Sequence, residues 1–142
     1  MAIQIQLLQA GDLHVLSRVA DDVFDEAIDP KLTEEFLKDP RHHIAVGIED
    51  GVVVGFASAV HYHHPDKPPE LWINEVATSS AHQRRGVALA VLNTLFDLGR
   101  RLGCKESWVL TDDDNTAARA LYRAAGGTET TGVVMVSFPL NS

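Results

Sequence analysis

Gln83-Arg84-Arg85-Gly86-Val87-Ala88 decides how this 142-residue chain is read. It stands between an apolar stretch with strand character, Leu71 to Thr78, and one with helical periodicity, Gly86 to Leu102. A strand that enters a short basic turn and leaves as a helix is suited to hold a phosphate. The first amides of a helix have no internal partner, and the helix dipole favours an anion beside them. Gly86 lets a ligand come close to the backbone because it carries no side chain. Arg84 and Arg85 add positive charge at the same point. An exposed basic helix start is the plain alternative. The nucleotide-binding patterns G-x-x-x-x-G-K-S/T and G-x-G-x-x-G do not occur in the chain.

Working outward, the pattern predicts elements on both sides of this turn. Ile3 to Leu7 alternates as a strand, and Asp12 to Phe24 carries a helical face of Leu13, Leu16, Val19, Ala20 and Val23. Asp29 is placed to cap a short helix from Pro30 to Leu37, with proline at its first position. His43 to Ile48 and Val52 to Tyr62 read as a hairpin turning at Asp50-Gly51. His63 to Pro69 is a polar loop. After the long helix come a strand from Ser107 to Thr111, a helix from Thr116 to Ala125 ended by Gly126-Gly127, and a final strand from Val133 to Phe138. The expected fold is one α/β (α+β) domain over residues 1–142. Its mixed, mostly antiparallel twisted sheet would have about six to seven strands, flanked by about four helices.

Composition narrows the function classes. Apolar residues make up 45% and charged residues 23%, values of a soluble globular chain. The net charge of -8 argues against nucleic acid or an acidic membrane surface as partner and permits a cationic one. There is neither an apolar run long enough to span a membrane nor a signal-peptide pattern, so a cytoplasmic location is expected. The single cysteine, Cys104, excludes an internal disulfide and reads as a small half-buried residue.

Two further elements could carry chemistry. Strand alternation places Glu75 in a row with Leu71, Ile73 and Ala77, where partial burial would make its carboxylate a better general base. A structural, paired glutamate is the alternative. In the last helix Asn115 and Tyr122 are seven residues apart and share a face. Asn115 suits ligand contact or a helix cap, and Tyr122 suits proton donation or a core aromatic. The histidines His42, His43, His61, His63 and His64 have no completing ligands in a metal-site spacing, so no metal is expected.

Together these elements resemble the GNAT superfamily of N-acetyltransferases. Gln83 to Ala88 matches that family's Q/R-x-x-G-x-G/A acetyl-CoA motif, with Ala88 at a position where many members have glycine. Asn74-Glu75-Val76-Ala77-Thr78 before it and Asp114 to Gly126 after it extend the match across nearly the whole chain. The resemblance implies acetyl-CoA as co-substrate. Backbone amides from Arg84 to Ala88 would hold its pyrophosphate. Val76, Ala77 and Thr78 would bind the pantetheine arm in a gap between strands 71–78 and 107–111, and Asn115 would contact the cofactor. Glu75 would act as general base toward an amine and Tyr122 as general acid toward the CoA thiolate. A homodimer packed through Val133 to Leu140 is a further expectation.

Within the superfamily the chain is most similar to the small aminoglycoside 3-N-acetyltransferases. That implies acetylation of a primary amine on a small cationic substrate, with the antibiotic-resistance role of such enzymes. The acidic residues Asp25 and Glu26 in the first helical region, and Asp112, Asp113 and Asp114 before the last helix, would receive it. Two alternatives stay beside this reading. One is a GNAT enzyme for another amine: a polyamine, an amino-acid derivative, or a protein N-terminus or lysine. The other is a non-catalytic acetyl-CoA-binding module.

Overall fold

Asp50 and Gly51 both adopt positive φ, 53° and 77°, as the two-residue turn of a tight hairpin requires. The hairpin they close, β2 (His42–Glu49) and β3 (Val52–Tyr62), is the centre of the sheet. The computed structural model describes residues 2–141. Its five-stranded sheet runs in sequence order, with β1 (Gln4–Leu7) on one side of the hairpin and β4 (Glu70–Thr78) and β5 (Glu106–Val109) on the other. All pairs are antiparallel except β4 with β5, which are parallel. Among the described residues three α-helices complete the fold: α1 (Pro30–Lys38), α2 (Val87–Arg101) and α3 (Thr116–Ala124).

The expected single α/β domain with a mixed sheet is therefore present, with fewer strands and helices than anticipated. Asp29 caps α1 as expected, its Oδ1 accepting from the amides of Lys31 and Leu32 at 2.8 and 3.1 Å. The long helix predicted over Asp12 to Phe24 is instead a 3-10 turn, Leu13–Ser17, followed by irregular chain. Main-chain competition explains the difference. The Val53 amide donates to the Arg18 carbonyl and the Ala20 amide donates to the Val53 carbonyl, both at 2.9 Å. These bonds pin residues 18–20 beside β3 and leave those groups unavailable to a helix. The apolar face survives: Leu16 and Val23 are buried with Ile44, Val46, Val53 and Phe56.

The predicted strand Val133 to Phe138 does not form, and this segment lacks regular structure. Its side chains are largely exposed, with Val134 at 80% and Leu140 at 96%. Strand propensity is present there, but among the described residues no neighbouring strand receives its backbone, and an unpaired strand is not a stable element.

The α2 face of the sheet holds the tightest core, where Ala45, Ala57, Ala59, Leu71 and Ile73 pack against Val91, Leu92 and Leu95. Gly47 and Gly55 lie opposite each other in β2 and β3 on this face. A Cβ on either would come within 2.8 Å and 2.7 Å of Val87 Cγ1. The absence of both side chains lets the first residue of α2 settle directly on the sheet, and this fixes where the basic turn ends.

Candidate active site

The chain between β4 and α2 is fastened at several points. The Ser79 amide donates to the Val54 carbonyl, and the Ser80 amide donates to Asp22 Oδ2, both at 2.8 Å. These bonds from Ser80, joined by the hydroxyls of Ser80 and Ser79, hold the Asp22 carboxyl down at about 2. Next, Glu49 at the end of β2 receives His82 Nε2 at 3.0 Å and Arg85 Nη2 at 2.6 Å. The arginine, and then the histidine, lower the Glu49 pKa against a smaller opposing effect of burial. Arg85 thus ties the turn to the hairpin. Arg85, expected at the phosphate, is engaged by Glu49, and no local pattern marks Glu49 or Asp22 as anchors of the turn, because their partners are 36 and 58 residues away.

Arg84 and Gly86 both have positive φ, 64° and 80°. Gly86 is the N-cap of α2 and offers no side-chain cap to the helix amides. The first-turn amides of Val87, Ala88 and Leu89 therefore rely on other acceptors. A Cβ on Gly86 would meet nothing within 4 Å, so the space before the helix is open. This is the geometry of an anion cradle, with the exposed Arg84 beside it.

Pairing between β4 and β5 runs from Glu70–Glu106 to Ile73–Val109 and stops. It stops at a bulge: Ala59 of β3 faces Ile73, the next residue, Ser58, faces Glu75, and Asn74 is the extra residue. Beyond it, among the described residues, no strand pairs with Asn74 to Thr78 on the β5 side. A gap between these strands was expected, and pairing is absent at the expected place.

The bulge also corrects the expected setting of Glu75. Simple alternation put Glu75 in the row of Leu71 and Ile73. The extra residue shifts the period, so Glu75 lies on the opposite face, with Ala77 and Trp72, and is exposed instead of partly buried. That face is the one on which Phe24 stacks over Phe56 at 4.1 Å. The chain from Leu13 to Pro30 forms a cleft of about 700 Å³ there, with Asp21, Asp25 and Glu26 in its lining.

On the α2 side, Tyr122 of α3 packs half-buried against the main core, and burial raises its pKa, so the phenol keeps its proton through neutral pH. Asn115 caps α3, its Oδ1 accepting from the Ala118 amide at 3.0 Å. The capping alternative is thus realised and uses the carbonyl oxygen of the side chain. Asp112, Asp113 and Asp114 are exposed on the loop that follows β5. That loop is held by Arg119, which donates to the Asp113 carbonyl at 2.7 Å and pairs with Glu129.

The histidines divide between the two faces. His43 and His61, in contact at 2.7 Å, lie at the end of the α2 face. Burial, and then the neighbouring histidines His61 and His42, hold His43 at about 4. His64 Nε2 lies 3.2 Å from Glu70 on the other side. Among the described residues no group of three or more His, Cys, Asp or Glu is placed to hold a metal, and no helix is long and apolar enough to cross a membrane.

Comparison with known proteins adds to this geometry. The aminoglycoside N(6′)-acetyltransferase type 1 of Salmonella typhimurium is 28% identical over 105 residues, covering 71% of this chain and 72% of that one. A solved aminoglycoside acetyltransferase from an uncultured soil metagenomic sample, in complex with sisomicin, superposes with a TM-score of 0.83 at 19% identity, covering 98% of this chain and 97% of its own. The aminoglycoside N-acetyltransferase AAC(6′)-Iy, in complex with CoA, superposes with a TM-score of 0.79 at 22% identity, over 96% and 95% of the two chains. The Salmonella enzyme and AAC(6′)-Iy are both 6′-type, so the similarity to 3-N enzymes expected from sequence is not supported. Residues 12–126 match the family model for the acetyltransferase (GNAT) family. With an open helix start, an unpaired strand edge and this match over most of its length, the chain belongs to the GNAT acetyltransferase family and is an acetyl-CoA-dependent N-acetyltransferase.

Proposed function

We propose that this enzyme transfers the acetyl group of acetyl-CoA to the 6′-amino group of an aminoglycoside. The observation that carries the reading is the bulge at Asn74, which ends β4–β5 pairing and presents Glu75 at the same place. A thioester laid along the open β4 edge would reach Glu75 on one face and the Tyr122 side on the other. The acidic cleft lined by Asp25 and Glu26, on the Glu75 face, and the exposed Asp112 to Asp114 past β5 favour a polycation.

In this mechanism the amides of Gly86 to Leu89 and the Arg84 guanidinium bind the pyrophosphate, with Gln83 and Arg85 shaping the turn. Main-chain groups of Val76, Ala77 and Thr78 pair with the pantetheine arm as an added strand would. Asn115 holds the start of α3 and donates from its carboxamide nitrogen toward the arm. Glu75 accepts a proton from the ammonium, directly or through water, and the neutral nitrogen attacks the thioester carbonyl. The tetrahedral centre collapses with cleavage of the C–S bond, the thiolate takes its proton from the Tyr122 hydroxyl, and the surplus proton on the attacking nitrogen passes through water to the phenolate, leaving the neutral amide. No acyl-enzyme forms, and Cys104 takes no part.

The test is CoA thiol release by purified enzyme with aminoglycosides that carry or lack a 6′-amine, with spermidine, and with lysine peptides, the product being located by NMR. Acetylation at N6′ is expected, and Glu75→Gln should lower kcat by about 100-fold or more. Turnover of only polyamine or peptide amines would replace this reading with an enzyme for another amine.

A further inference from the structure

Both tryptophans of the chain lie side by side on the Glu75 face. Trp72 of β4 and Trp108 of β5 pair in register, with ring centroids 5.4 Å apart and planes within 13°. Glu70 and Glu106 form the preceding pair on the same face. A chain of hydrogen bonds fixes the group: Trp108 Nε1 donates to Tyr62 Oη at 2.8 Å, and Tyr62 donates to Glu70 Oε1 at 3.0 Å. The bonds cross three strands, so the Trp108 indole cannot reorient without breaking them, and Trp72 is held by stacking on it.

This arrangement is unlike a core. The main helix packings lie elsewhere: α1 on β2, the 3-10 turn on β3, and α2 and α3 on the opposite face. Both indoles are partly exposed, and Glu106 is exposed. Among the described residues β5 is the edge strand, and no strand lies beyond Trp108. Large aromatics held rigid at a surface, next to carboxylates, are an expense that packing alone does not require. Their chemistry suits a ring-shaped cation. Indole faces attract ammonium groups and the C–H faces of sugar rings, and the glutamates pair with further ammoniums. Trp72 is three residues from Glu75, so the group lies about 10 Å or less from the proposed base along the strand.

We infer that Trp72 and Trp108, with Glu70 and Glu106, form a docking platform for an amino-sugar ring of the acceptor remote from the reacting amine. The inference rests on the aminoglycoside reading above and adds the means of selection. A rigid ring can lie against fixed indoles, whereas a flexible polyamine satisfies the carboxylates only.

The two tryptophans are also the only ones present, so intrinsic tryptophan emission reports directly on this platform. Titration of the enzyme with an aminoglycoside, without acetyl-CoA, should change that emission along a saturable curve. Spermidine at the same ionic strength should not. Glu106→Gln should weaken the aminoglycoside response and raise its KM about 3- to 10-fold. Trp108→Leu should raise that KM about 10-fold or more, with the KM for acetyl-CoA unchanged in both. Acetylation of aminoglycosides with silent emission and wild-type KM in both variants would overturn the platform and leave the proposed function standing. A saturable response without turnover would keep the platform and remove the proposed function. Emission that changes with protein concentration, and not with ligand, would assign this face to a second copy of the chain and also overturn the inference.

Discussion

The two faces of the sheet use the same strands for different ends. Toward α2, small residues of β2 and β3 meet Leu92 and Leu95 with no exposure, and two facing glycines bring Val87 into contact with the backbone. Toward the N-terminal chain, the same strands and their neighbours carry Glu75, the tryptophan pair and the Phe24–Phe56 stack, many of them half-exposed. Close packing fixes the helix start that would bind acetyl-CoA. The looser face carries the cleft proposed above for the acceptor. Stability should therefore respond mainly to the first face, and acceptor use mainly to the second.

The sharpest way to break this division is Leu95→Ala. It removes a fully buried side chain from the α2 face, and the transfer and cavity costs together should be about 3 kcal/mol. Thermal unfolding should show a Tm lower by roughly 10 °C. Turnover per folded molecule at low temperature should be unchanged. A loss of activity without loss of stability would mean that the two faces are not separable.

Gly55→Ala should join the two effects. The new methyl would sit 2.7 Å from Val87 Cγ1 and 3.2 Å from the Ala77 carbonyl, so α2 must shift outward. A cost of about 1–3 kcal/mol is expected in denaturant unfolding. The KM for acetyl-CoA should rise while that for the acceptor holds. An unchanged acetyl-CoA KM would show that the turn is positioned from elsewhere.

Asp22→Asn should have the smallest effect and belongs to the looser face. The folded carboxyl sits at about 2 against an ordinary 3.8, so its contribution is present above pH about 4 and is lost as pH falls toward 2. Wild-type stability should fall across that window, and the variant should lose part of this slope. Urea midpoints at pH 5 and pH 2.5 measure the difference. Equal slopes would remove Asp22 from the anchoring of the turn.

Local chemistry accounts for what was legible in the sequence. Asp29 and Pro30 announced a helix start, Asp50-Gly51 a tight turn and Gly126-Gly127 a helix end, because each acts on backbone within a few residues. The basic turn could be read for the same reason. Distant partners could not. Val53 takes residues 18–20 out of a helix, and Glu49 takes up Arg85, through contacts that no periodicity encodes. The position of Glu75 failed differently. Its face depended on one inserted residue in a strand whose pattern looked regular. Likewise Val133 to Phe138 has the composition of a strand and lacks the neighbour that would make it one.

That inserted residue, Asn74, separates the length of β4 from its pattern. Without it Ile73 and Glu75 would be consecutive, Val76 would keep the α2 side, and Glu75 and Ala77 would keep the other. A one-residue deletion here would therefore leave each side chain on its face and remove the bulge alone. Substitutions along β4 exchange groups on either side of the sheet, whereas this deletion would act on the ladder and its interruption.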